Sequence, residues 1–64
     1  MKNRIKVIRA EKNISQSELA QMANLSRTAL SAIERGTVAP KLSTVLKIAS
    51  ALERPAEEIF LDLM

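Results

Sequence analysis

The sequence predicts an all-α fold, a compact bundle of five helices, and three observations predict it. Apolar residues recur at spacings of three and four, the repeat of a helix with one buried side. Period-two alternation of β-branched residues, the mark of a half-buried strand, is missing throughout. Residues that start and stop helices punctuate the chain: Asn13, Ser15, Ser26, Gly36 and Pro55. At 64 residues the chain is expected to form one domain over positions 1–64, with a modest core and marginal stability alone.

The first helix is expected from about Asn3 to Lys12, with Ile5, Ile8 and Ala10 on its inner side and Val7 partly exposed. Asn13 sits at its stop, because Asn tolerates the left-handed backbone. Ser15-Gln16-Ser17-Glu18 has the spacing of a capping box, in which the serine hydroxyl and the glutamate carboxylate each satisfy the other residue's amide. A second helix follows to about Ala23, burying Leu19, Ala20 and Ala23. Asn24-Leu25-Ser26 is a short turn with Asn24 suited to positive φ, and Ser26 caps a third helix from Arg27 to Arg35. Leu30 and Ile33 face inward, and Gly36, the only glycine, ends the helix. After the Pro40 loop, a fourth helix from Leu42 or Ser43 to Leu52 shows a wide apolar stripe of Val45, Leu46, Ile48, Ala49 and Leu52, best read as core. Pro55 opens a short fifth helix through Ile59 and Phe60.

Composition excludes several classes. There is no Cys and no His, so disulfides and the usual zinc sites cannot form, and no metal or cofactor is expected. Phe60 is the only aromatic residue, too few for a base-stacking platform for single strands or RNA. The longest apolar run, Ile59-Phe60-Leu61, is far short of a membrane span, and the charged N-terminal stretch lacks an apolar signal core, so a cytoplasmic location is expected. No nucleophile with its base and no phosphate loop is recognisable, so the chain is not expected to be an enzyme.

The net charge is +3, unevenly placed. Residues 1–12 carry five basic groups and one acidic, and residues 53–64 carry four acidic groups and one basic. One end suits an anionic polymer while the other faces away. Lys2, Arg4 and Lys6 read as a solvated end, and Glu57, Glu58 and Asp62 as charges of a first turn and its flank.

The informative stretch runs from Gln16 to Gly36. Two short helices joined by three residues cannot lie antiparallel, so they cross steeply, and Ala20 supplies the small residue such a contact needs. This is a helix-turn-helix. The free face of its second helix carries Arg27, Thr28, Ser31 and, nearer the end, Arg35, short enough to enter a major groove about 12 Å wide. Arg27 can meet guanine in a bidentate contact, and Thr28 and Ser31 can donate or accept at base edges. Gln16, Ser26, Thr37 and Lys41 surround that face as candidate phosphate contacts.

The opening NRIKVIRAEK, the start SQSELA, then LSRTALSAIERG and LKIASALERPAEEIF resemble the phage-repressor and Cro family of regulators, also called the XRE family, over nearly the whole chain. The resemblance implies a lambda-repressor-like DNA-binding domain with the helix-turn-helix formed by helices 2 and 3. It implies a transcriptional regulator, a repressor above all, that binds palindromic double-stranded operators as a homodimer. It also implies an Arg9–Glu34 ion pair fixing helix 1 against helix 3, Gln16 on phosphate, and Arg27, Thr28 and Ser31 as readers. Thr28-Ala29 stands where many relatives place Gln-Thr, and Thr37-Val38-Ala39 where they often carry Lys and Asn, so base preference is not transferable from them.

The apolar C-terminal group Phe60, Leu61, Leu63 and Met64 is the expected dimer seam. The competing reading is a protein-interaction module, such as an antitoxin or co-regulator, whose partner covers that tail. No small-molecule effector is evident.

Overall fold

A computed structural model describes residues 1–63, with Leu63 described by its backbone alone. Five helices are present among the described residues: α1 (Ile5–Lys12), α2 (Gln16–Met22), α3 (Arg27–Arg35), α4 (Leu42–Leu52) and α5 (Ala56–Ile59), followed by a 3₁₀ turn over Leu61–Leu63. No helix among the described residues is long and apolar enough to cross a membrane.

Each of the first four helices stops in the same way. Asn13, Asn24, Gly36 and Glu53 adopt φ of 58°, 55°, 79° and 57°. The next residue's amide then reaches back five positions: Ile14 N–H to Arg9 O, Leu25 N–H to Ala20 O, Thr37 N–H to Ala32 O and Arg54 N–H to Ala49 O, at 2.8–3.2 Å. These left-handed stops satisfy carbonyls that a helix end otherwise leaves bare, and they fold the chain back within two residues. The starts are chemical too. Ser15 Oγ accepts from Glu18 N–H at 3.0 Å while Glu18 Oε1 accepts from Ser15 N–H at 2.8 Å, and Ser26 Oγ accepts from Ala29 N–H at 3.0 Å.

The helices close over one cluster: Ile5 and Ile8, Leu19, Ala20 and Ala23, Leu30 and Ile33, Val45, Ile48 and Leu52, Ile59 and Phe60. Among the described residues no polar or charged side chain is buried outright. Ala20 and Ala23 let α3 pack close on α2, the pair of helices in fullest contact.

Four expectations change. Helix α1 begins at Ile5 rather than Asn3, because residues 2–4 are hydrogen-bonded to the C-terminal segment instead. Asn3 forms an antiparallel bridge with Phe60, Arg4 N–H donates to Ile59 O at 2.7 Å, and Leu61 N–H donates to Lys2 O at 3.1 Å. Ala10 is exposed, and Leu46 is 56% exposed, since α4 turns inward on Val45, Ile48 and Leu52 with Ala49 and Ala51 at their edges. Phe60 leaves the expected seam altogether: it is 0% exposed, held in this chain's own core by that bridge. Leu61 is 48% exposed and stays available, while the Leu63 side chain and Met64 lie outside the described residues.

Of the left-handed stops, Gly36 holds the residue type best suited to that conformation and Glu53 the one least suited. A Cβ on Gly36 would sit 3.2 Å from Met1 O, on top of the strain of its φ. Gly36→Ala is therefore expected to cost about 1–2 kcal/mol, while Glu53→Gly is expected to add about 0.5–1 kcal/mol by relieving a side chain from the same conformation. Thermal melts followed by circular dichroism check both, each kcal/mol moving Tm by about 4–8 °C in a domain of this size.

Candidate nucleic-acid interface

The sequence places Arg27 and Gln16 eleven residues apart, each as the first residue of a helix. The fold brings them together. Arg27 Nε donates to Gln16 Oε1 at 3.3 Å. This bond leaves the Gln16 amide nitrogen and the two terminal nitrogens of Arg27 free to donate outward. Thr28 and Arg35 are exposed, and Ser31 is half-buried. Gln16, Arg27, Thr28, Ser31 and Arg35 line one shallow depression on the outer face of α3.

Below this depression lies the pair that fixes α3. Arg9 Nε donates to Glu34 Oε2 at 2.9 Å and Arg9 Nη2 to Glu34 Oε1 at 3.1 Å, a two-point contact with the side chains 14% and 8% exposed. Arg9 Nη1 also donates to Ile14 O at 3.3 Å. Such a fork sets distance and rotation together, which a single-point pair cannot do. At the far end of α3, Asn3 Nδ2 donates to Ile33 O at 2.9 Å, taking up a carbonyl of the last turn.

The other expected phosphate contacts separate. Ser26 Oγ accepts from Ala29 N–H, and its own hydroxyl hydrogen remains to donate. Lys41 is exposed at the start of α4 and makes no side-chain cap bond there. Thr37 is different: its amide and its hydroxyl both donate to Ala32 O, at 3.2 and 3.0 Å. It closes the end of α3 and keeps neither donor free.

Charge around the face is mostly basic. Glu18 lines a neighbouring depression, and hydrogen bonds from the Ser15 amide and then the Ser15 hydroxyl lower its pKa below the usual 4.5, so it stays ionised as part of the cap. Lys6 reads from the sequence as part of a solvated end, and the fold places it beside this face. It lines a second depression with Arg9, Gln16, Ser31, Glu34 and Arg35, adjoining the first. Lys6 lies three residues before Arg9 on α1, and that helical spacing was the available signal.

A short helix held by a capped turn against a second, with small polar and cationic side chains outward, is the arrangement of a helix-turn-helix. The sequence profile of the helix-turn-helix family matches residues 5–59, and the chain belongs to that family of DNA-binding transcription regulators. It is 51% identical over 49 residues to the immunity repressor protein of Bacillus phage phi105, a match covering 77% of this chain and 34% of that protein. The chain thus spans about a third of that repressor's length. Among solved structures it resembles the restriction-modification controller protein C.AhdI of Aeromonas hydrophila, with TM-score 0.81, 34% identity and coverage of 86% and 83% of the two chains. It also resembles the P22 c2 repressor in complex with a synthetic operator, with TM-score 0.79, 30% identity and coverage of 84% and 82%.

The Arg9–Glu34 fork is mostly buried, so removing one partner leaves the other uncompensated. Arg9→Met alone is expected to cost about 3 kcal/mol, and Arg9→Met with Glu34→Leu to recover most of it. Urea denaturation of the two single variants and the double variant measures this coupling.

Proposed function

We propose that this chain is a sequence-specific regulator, acting as a repressor in the cytoplasm, that places α3 in the major groove of double-stranded DNA. The depression shared by Gln16, Arg27, Thr28, Ser31 and Arg35 carries this reading. Gln16 holds the Arg27 Nε, which presents the terminal edge of the guanidinium as a preset fork. That edge matches guanine O6 and N7, the commonest bidentate base contact. Thr28 and Ser31 are short enough to let the helix approach and can hydrogen-bond a second and third base pair. Gln16, Ser26 and Lys41 take phosphates, fixing register without specifying sequence. Thr37 acts by holding the end of α3.

One such helix covers few base pairs, so the reading includes a homodimer on a palindromic operator, its half-sites about 34 Å apart. Leu61 is the described apolar residue of the C-terminal segment left to contribute to that contact.

Selection of bound duplexes from a random pool should yield a paired motif with that spacing, and no enrichment would overturn the reading. Arg27→Ala should cost about 1–3 kcal/mol on the selected site and relax preference at one position per half-site. Unchanged preference in that variant would remove Arg27 as a reader. Sedimentation should give a dimer on the selected duplex, weakened by Leu61→Glu; a monomer bound to a single half-site would remove the dimer.

A further inference from the structure

Lys6 sits in the part of the interface that the reader and phosphate residues leave unexplained. The two depressions on this side share Gln16, Ser31 and Arg35, so they form one trough crossing from α3 to α1. Its rim carries three cations: Arg27 and Arg35 on α3 and Lys6 on α1. Its only carboxylate is Glu34, and both oxygens of Glu34 are taken by Arg9. A carboxylate engaged at two points by a guanidinium presents no net charge to a ligand above it. Lys6 also borders the adjoining depression, where the Glu18 carboxylate accepts from the Ser15 amide. Neither Glu18 nor Glu34 comes within ion-pair distance of Lys6 among the described residues. Lys6 is exposed, and Lys2 and Arg4 do not line this trough.

We propose that Lys6 is a phosphate-contacting residue, extending the DNA interface from the helix-turn-helix onto α1. This rests on the reading of α3 as the groove helix. With α3 in the groove, Gln16 marks where one strand's backbone passes, and Lys6 lines the same trough as Gln16. The neutral floor matters as much as the cation. The Arg9–Glu34 pair fixes α3 and also removes the negative charge that would otherwise repel a phosphate held between Lys6 and Arg35.

The test compares the parent, Lys6→Gln, Lys6→Arg and Lys47→Gln on the duplex that the parent selects, across a salt series. Lys47 is exposed on α4 beside Met22 and Leu46, away from the trough. Lys6→Gln should bind more weakly on every sequence, with the log K against log salt slope reduced by about 0.9, one phosphate's share. Base preference should stay that of the parent, Lys6→Arg should restore the slope, and Lys47→Gln should match the parent. A Lys6→Gln slope equal to the parent's, or a loss confined to particular sequences, overturns the role of Lys6 and leaves the α3 reading intact. A parent that binds no duplex overturns both. Thermal melts verify that Lys6→Gln folds, as an exposed exchange between residues of similar helix propensity should.

Discussion

The Arg9 guanidinium ties three separate pieces of the chain: α1, which carries it, the Ile14 carbonyl ahead of α2, and the Glu34 carboxylate on α3. The core alone leaves α3 some freedom to roll, because Leu30 and Ile33 are apolar and non-directional in their contacts. The fork contact removes that freedom. Ser31 and Arg35 flank Glu34 on the same helix, so an error in its rotation would carry both off the face they share with Gln16. The pair is a device for orientation first, and its burial makes it costly to half-remove.

Around that pair, α3 is held at both ends by backbone chemistry. Ser26 caps its start, and its last carbonyls are taken by Thr37, by the Asn3 amide and by the Gly36 turn. Gln16 adds a side-chain link between the first residues of α2 and α3. The free face is therefore presented on a helix whose start, end and rotation are each fixed by a different residue.

Much of this was legible locally. The starts at Ser15 and Ser26 and the stops at Asn13, Asn24 and Gly36 are instructions contained in a few consecutive residues, and they place α3 to the residue and the end of α2 to within one. What the sequence hid is what joins distant positions. Asn3 looks like an ordinary helix start, yet its backbone pairs with Phe60 and its side chain closes α3. Phe60 looks like a tail residue for the same reason. Leu46 fits an apolar stripe by spacing, but spacing does not say how wide a face the neighbours cover. In the site, helical position singled out Arg27, Thr28 and Ser31. The Gln16–Arg27 bond and the place of Lys6 depend on how α1 and α2 lie beside α3, which no local pattern encodes.

The Asn3–Phe60 bridge also fixes where anything joined to this unit must emerge. Residues 1–4 and 59–62 run side by side, and Met1 N donates to Gly36 O at the end of α3. A fused domain or affinity tag would leave from that one corner whichever end carried it, beside the last turn of α3. Attachments there share one side of the fold, and their linker length, rather than their choice of end, decides how closely they crowd the end of α3.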